Sequence, residues 1–370
     1  MSRDGRTLQI CWNSLADDRA WDDFVASLPD AHHEQTSLWG SVRASIGWSV
    51  ARVVVEERGA IIAGAQVQLQ SVGRFGRWAY ITFGPCVAGD DPLVEHVVMT
   101  EIKDSLRRQG AFYLLVQLPY DAHRLAGRLQ QSGFIRPPRA LAPFYMQATL
   151  VVDLAREEER LLAEMRPSTR HHVRQGLKRG ITVVQGEERD LDVFWELMRA
   201  LCARRKTAPN PSHPDFFRLL WKEFSPRGWV NLFLAKHQGE PVAAALAFPF
   251  GNWFRVWKVG WSGEHGELRP NQLMWWELIR HARRQGYRHF DFVNIDLAQP
   301  GISSSPNLLE PSPNGVTSFK LGFGGTIKML PGAYCCFLPP LLRAAMRIGL
   351  VRLLDSKACI NLAMTMWRRR

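Results

Sequence analysis

One lysine carries the clearest chemical signal in the chain. Lys320 stands in Gly315-Val316-Thr317-Ser318-Phe319-Lys320-Leu321-Gly322-Phe323-Gly324-Gly325, beside the ring of Phe319 and next to three glycines. Glycine lets a backbone approach a ligand or turn sharply, so a Phe-Lys pair here can hold a cation near a reacting group. The bland alternative is an exposed lysine before a turn. Upstream, Asp291 lies in Phe290-Asp291-Phe292-Val293-Asn294, the expected end of a buried strand, ahead of a long Pro/Ser/Gly/Asn loop. A carboxylate between two phenylalanines is either buried and hydrogen-bonded or poised to take a proton; the structural role is favoured. No Ser/His/Asp or Cys/His arrangement stands out for nucleophilic catalysis.

The elements that must position these residues follow one order twice. Patterning predicts a hairpin from Val50–Glu56 and Ile61–Gln70, a strand from Trp78, a helix over Leu93–Arg108 ended by Gly110, and a buried strand Ala111–Leu118. A helix to Gln131 and a closing strand Gln147–Leu154 complete the first set. The second set has helices at Asp192–Arg205 and Pro214–Phe224 and a hairpin from Val230–Lys236 and Pro241–Phe250. A strand from Phe254, a helix Gln272–Arg284 ended by Gly286, and a strand Tyr287–Val293 follow. The letters repeat as well. Glu101 precedes Arg107-Arg108-Gln109-Gly110 as Glu277 precedes Arg283-Arg284-Gln285-Gly286. Gly59-Ala60-Ile61-Ile62-Ala63 matches Gly239-Glu240-Pro241-Val242-Ala243, and Ser132-Gly133-Phe134 matches Leu321-Gly322-Phe323. Three anchors in one order argue for tandem copies of an α+β unit.

The chain has 370 residues, enough for two domains. Its net charge of +12 favours polyanionic partners such as RNA, nucleotide-sugar diphosphates or an anionic membrane face. The six cysteines show no Cys-x-x-Cys spacing, so neither a zinc site nor a disulfide framework is expected. No signal peptide or membrane-crossing run is apparent, which places the expected protein in the cytoplasm.

Strand, long loop and Phe319-Lys320-Leu321-Gly322-Phe323-Gly324 together resemble the closing part of the FemABX family, the aminoacyl-tRNA-dependent transferases that build peptidoglycan cross-bridges. The repeated hairpin, strand, helix, strand, helix order resembles the GNAT acyltransferase fold, and the family pairs two such units. The resemblance implies a mixed α+β fold with a GNAT-like domain 1 over 1–152, completed by a return segment near 327–338. It implies a GNAT-like domain 2 over 153–326, here without the long coiled-coil arm of some members. Residues 339–370 form a basic amphipathic extension.

The resemblance also assigns roles. Lys320 would stabilise the oxyanion of acyl transfer from an aminoacyl ester to an amine, worth a few kcal/mol in a water-poor site. Phe319 matches the motif letter for letter, and Asp291 would assist proton removal if it acts at all. Trp39 and Arg43, in Ser37-Leu38-Trp39-Gly40-Ser41-Val42-Arg43, resemble the family's early Trp-x-x-x-Lys helix, which contacts the acceptor diphosphate; arginine replaces the lysine. Arg205, favoured over Arg204 by register, would touch acceptor phosphates. Trp257 and Trp261 align with aromatic positions near the acceptor, and Asn271 and Gln272 with Pro-Asn opening a helix; the alternative role for Asn271 is the helix cap alone. Arg170, Arg174 and Lys178 recur every four residues on one helix face suited to tRNA phosphates. The adjacent His171 and His172 point apart, so no metal pair is expected.

The leading expectation is therefore transfer of an amino acid from aminoacyl-tRNA, the co-substrate, to a peptidoglycan precursor, lipid II or UDP-MurNAc-pentapeptide, with no cofactor. Pro339-Pro340 opens an apolar-rich, arginine-interrupted stretch suited to an anionic bilayer surface. The enzyme alternative is a GNAT-like N-acyltransferase using acyl-CoA in polysaccharide or natural-product synthesis. Neither Arg107-Arg108-Gln109-Gly110-Ala111 nor Arg283-Arg284-Gln285-Gly286-Tyr287 reads as a pyrophosphate-cradling loop. The non-enzymatic alternative is a basic RNA-binding or membrane-peripheral module.

Overall fold

β-Branched runs broken by turn residues set the strands, and Asp or Thr caps set several helix starts. A computed structural model describes residues 2–3, 6–71, 76–138, 141, 145–296 and 315–347. The chain forms two units, Met1–Met146 with Leu330–Arg370, and Gln147–Met329.

The first unit contains β1 (Ser2–Arg3), β2 (Arg6–Asn13), α1 (Arg19–Ser27), α2 (Ser37–Ser45), β3 (Ser49–Glu57), β4 (Ala60–Ser71), β5 (Arg77–Thr82), β6 (Cys86–Val87), α3 (Pro92–Arg108), β7 (Ala111–Gln117) and α4 (His123–Gln131). Asp18, Thr36 and Asp91 cap α1, α2 and α3 with their side chains. The second unit contains β8 (Ala148–Asp153), α5 (Glu158–Glu164), α6 (Pro167–Lys178), β9 (Ile181–Gly186), α7 (Leu191–Arg204), α8 (Pro214–Phe224), β10 (Asn231–His237), β11 (Glu240–Phe250), β12 (Trp253–Trp261), α9 (Pro270–Arg284), β13 (His289–Asp291), α10 (Val316–Leu321) and β14 (Thr326–Met329). The chain then returns to the first unit with β15 (Ala333–Phe337) and α11 (Pro340–Arg347).

The two sheets share one plan. The first runs β1-β2-β3-β4-β5-β7-β15 with β6 on β4, and the second β14-β8-β13-β12-β11-β10-β9. In each, a helix ended by glycine feeds a strand that pairs in parallel, β7 with β5 and β13 with β12. The duplication extends to irregularities. A bulge leaves Ile62 unpaired between the partners of Val55 and Glu56, and another leaves Val242 unpaired between those of Ala235 and Lys236. These are equivalent positions in the matched hairpin segments.

Two boundaries differ from the sequence expectation. The strand over Gln147–Leu154 does not close the first unit. As β8 it pairs antiparallel with β13 and opens the second unit, so the division falls at 146/147 rather than 152/153. Ile327–Met329 is not the returning strand either: it belongs to β14, an edge strand on β8. The return is made by β15, whose five residues are all buried and pair antiparallel with β7. The first unit thus ends its sheet with a strand from beyond the second unit, whereas every strand of the second sheet lies within 147–329. Local periodicity cannot assign such a strand, because either sheet satisfies its hydrogen bonds.

Of the C-terminal extension, the described part is α11. No helix among the described residues is long and apolar enough to cross a membrane.

Candidate active site in the second unit

Phe319 and Lys320 do not sit in a glycine-loosened loop. They occupy the last turn of α10, a six-residue helix. Thr317 Oγ1 accepts from Asp296 N–H at 3.2 Å, and the Arg166 guanidinium reaches the Ser318 carbonyl at 3.3 Å. The Phe319 ring meets Phe323 and Trp275 edge-on, with centroids 5.3 and 6.2 Å away. The glycines act just after the helix. Gly324 and Gly325 have φ of 79° and 88°, and a Cβ on them would meet the Glu164 and Val151 carbonyl oxygens at 2.9 and 2.6 Å. Only glycine permits that close passage.

The Lys320 ammonium donates to the carbonyls of Val293, at a short distance, and of Asn294, at 2.9 Å. Both residues are left-handed, with φ of 51° and 56°. For β-branched valine this is a genuine outlier, the kind of local strain that collects at functional sites. Burial pulls the Lys320 ammonium down to about 8; the Asp291 carboxylate opposes this, and the nearby Arg205 guanidinium adds to the fall.

Asp291 is wholly buried, at the end of β13. Its Oδ1 accepts from the Thr149 hydroxyl at 2.5 Å and from Val293 N–H at 2.8 Å. Its Oδ2 lies 3.4 Å from Arg255 Nε, and that side chain is also wholly buried. Three groups thus engage the carboxylate, which gives it a structural role.

Arg205 ends α7 as its C-cap, exposed. Arg204 turns the other way, stacking 4.1 Å over the Trp261 ring and donating to the Trp261 carbonyl. Trp257 is the extra residue of a bulge on β12, since Leu246 pairs with Lys258 and Ala247 with Val256. Its ring packs among Phe216, Phe217 and Phe248. Asn271 and Gln272 lie half-buried in the first turn of α9. The capping position is Arg269, in left-handed conformation, so Asn271 is not the cap.

The basic face of α6 divides. Arg174 and Lys178 are exposed. The Arg170 guanidinium instead donates to the carbonyls of Ala163 and Met165 at 2.6 and 2.9 Å, closing the end of α5. Sequence spacing placed the three on one face correctly but could not show that carbonyls engage one of them.

In the first unit, Trp39 is buried and meets His33 edge-on at 5.4 Å. Arg43 is half-buried; it donates to Gln68 at 2.9 Å and lies 4.3 Å over Trp48, and burial lowers its pKa. One group of potential metal ligands, His32, His33 and Glu34, also gathers within 4.8 Å there, and the sequence reading passed over it. The segments weighed as pyrophosphate loops do close helices. Gln109 and Gly110 N–H groups bond to Ser105 and Arg107 carbonyls, as Gln285 and Gly286 bond to His281 and Arg283, so these donors point into the helices.

The sequence reading missed Thr149, Arg255 and the Val293 and Asn294 carbonyls. Arg255 carried a signal: a charged residue inside the apolar run Trp253-Phe254-Arg255-Val256. The left-handed turn had none.

Two tandem units of this plan have a GNAT-like fold. Residues 163–298 match the Acetyltransferase (GNAT) domain model. Residues 17–132 match the FemAB family model. The crystal structure of FemX aligns with a TM-score of 0.75 at 19% identity, over 88% of this chain and 97% of that one. A tandem GNAT protein from the clavulanic acid biosynthesis pathway aligns with a TM-score of 0.53 at 13% identity, over 90% and 99%. Among curated relatives, the lipid II:glycine glycyltransferase of Staphylococcus saprophyticus is 23% identical over 62% of this chain and 57% of its own. That of Staphylococcus aureus strain USA300 is 21% identical over 78% and 66%. The chain therefore spans less than two thirds of the length of these relatives.

Proposed function

We propose that the protein is an aminoacyltransferase that moves an amino acid from aminoacyl-tRNA to an amine of a peptidoglycan precursor, lipid II or UDP-MurNAc-pentapeptide. The observation that carries this reading is the half-buried Lys320 ammonium, set on the last turn of α10 by two carbonyls, with burial pulling its pKa down to about 8. The amine attacks the ester carbonyl, the tetrahedral intermediate places negative charge on oxygen, and the ammonium stabilises it. Collapse expels the tRNA ribose oxygen, and the proton from the incoming amine leaves to solvent or that oxygen. The ester is already activated, so the engaged Asp291 is not needed as a base. Arg205, exposed near Lys320, is suited to acceptor phosphate, as Arg174 and Lys178 are to RNA phosphate.

The test uses bacterial tRNA charged with labelled amino acids, with each acceptor, with ribonuclease, and with Lys320→Ala. Ribonuclease-sensitive label on an acceptor, absent with the variant, supports the reading. Transfer only from acyl-CoA would replace it with the N-acyltransferase alternative.

A peripheral membrane contact is part of this proposal. Leu341 is 85% exposed at the start of α11. Residues 339–370 hold seven Lys or Arg and one Asp, net +6 of the chain's +12. Apolar exposure with positive charge suits an anionic bilayer and a lipid-linked acceptor. Co-sedimentation with phosphatidylglycerol vesicles, lost on truncation after Leu338, is the expected outcome; equal sedimentation of the truncated chain would remove the contact.

A further inference from the structure

We infer that Thr149, Arg255 and Asp291 form a buried clamp whose work is to shape the Val293–Asn294 turn into the socket of the Lys320 ammonium. The proposal rests on the transferase reading for its purpose, though not for its test. The chain of contacts is continuous. Arg255 and the Thr149 hydroxyl fix the Asp291 carboxylate from β12 and β8. Asp291 Oδ1 in turn accepts from Val293 N–H at 2.8 Å. That bond holds the chain where Val293 and Asn294 adopt φ of 51° and 56°. A β-branched residue does not rest there without outside restraint. With the turn so held, two successive carbonyls converge on one ammonium. Released to ordinary backbone angles, Val293 would aim its carbonyl elsewhere, and the ammonium would move into water.

Thr149, Arg255 and Asp291 are positioning residues in this account, and Lys320 is the catalytic one. The charged groups acting on Lys320 are Asp291 from the end of β13 and Arg205 from the end of α7. Arg255 stands behind Asp291.

The experiment reads the socket without requiring turnover. Competitive acetic anhydride labelling across pH, followed by mass spectrometry, gives the titration midpoint of Lys320 against exposed Lys222 as internal reference. The native protein is expected to show a midpoint near 8. Thr149→Val keeps the shape and loses the donor; its midpoint should move at least half a unit toward 10.5, the ordinary lysine value, with kcat down about ten-fold and KM within two-fold. Thr149→Ser should restore both. Val293→Gly, free to adopt left-handed angles, should keep the native midpoint. Val293→Pro, with φ fixed near −65° and no N–H for Asp291, should lose it. Folded Thr149→Val protein with a native midpoint and native kcat would overturn the clamp. A native protein that labels as expected yet transfers nothing from tRNA would overturn the transferase reading and leave the clamp standing.

Discussion

Five residues past the helix-ending Gly110, Leu115 pairs with Tyr80 across the parallel strands of the first unit; five past Gly286, Asp291 pairs with Arg255 in the second. The scaffold is the same at both places, and the chemistry is opposite. Leu115 packs with Trp78, Tyr113 and Cys335, an ordinary apolar core. Asp291 and Arg255 are charges taken wholly out of water. A buried ion pair is seldom a gain in stability over apolar residues of similar volume. The first unit fills the matching positions, Tyr80 and Leu115, without charges, and its own buried arginine, Arg52, meets Asp18 elsewhere in the unit. The charges at this position of the second unit belong to the clamp inferred above. The same contrast recurs one element on. By the Ser132-Gly133-Phe134 and Leu321-Gly322-Phe323 match, the counterpart of Lys320 is Gln131, exposed at the end of α4.

The sharpest way to break this contrast is to change both counterparts. Lys320→Ala is expected to lower kcat by about 100-fold or more, the scale of losing one oxyanion-stabilising group. Gln131→Ala should change it less than two-fold. Comparable losses from both, in steady-state assays with either acceptor, would end the assignment of chemistry to the second unit.

The next effect separates stability from activity. Asp291→Ala leaves Arg255 buried without its main countercharge and should destabilise the protein by about 3–5 kcal/mol in urea unfolding. The double variant Arg255→Met with Asp291→Leu, which makes the second unit resemble the first, should recover most of that stability. Its kcat should stay low, because Val293 no longer has its acceptor. Recovery of both would show that the pair is only a packing solution.

Much of this plan was legible in the sequence, and for a physical reason. Hairpin, helix and parallel strand are local elements, so periodicity and the paired glycine stops reported both copies, and Pro214–Phe224 appears with the expected bounds. The return segment expected near 327–338 does contain β15, but Gln147–Leu154 and Ile327–Met329 were assigned to the first unit because β8 and β14 find their partners only through distant pairing. At the candidate site, residue type singled out Lys320 and Asp291. The socket consists of backbone carbonyls in an unusual conformation, and side-chain letters do not encode that geometry. Arg170 fails for a related reason: its spacing was right, and its partners are carbonyls.

pH sharpens the comparison further. In the native state Lys320 titrates near 8, and in the unfolded chain near the ordinary 10.5. Between these values the unfolded state holds the extra proton, so raising pH through this window favours the native state. Below about 8 the penalty for the buried ammonium is present in full. Lys320→Met should thus be more stable than the native protein at pH 7, with the gap narrowing by pH 9.5. Gln131→Met should show the same difference at both pH values. Urea midpoints at the two pH values decide it; a gap that widens with pH would contradict the lowered lysine value.

The smallest expected effect concerns the exposed charge beside the site. Arg205 lowers the Lys320 value and Asp291 raises it, so removing each should move the alkaline limb of kcat in opposite directions. With Arg205→Ala the ammonium survives to higher pH and the limb should rise by a few tenths of a unit; with Asp291→Asn it should fall. Salt distinguishes them. Arg205 is exposed and its influence should fade by 0.5 M salt, where screening acts over only about 4–5 Å; Asp291 is buried and should keep its influence. If Arg205→Ala instead raises KM for the phosphate-bearing acceptor without moving the limb, Arg205 acts on the substrate alone. The second unit's charges would then divide between those that hold the lysine and those that hold the acceptor, a division for which the first unit has no counterpart at Leu115 and Gln131.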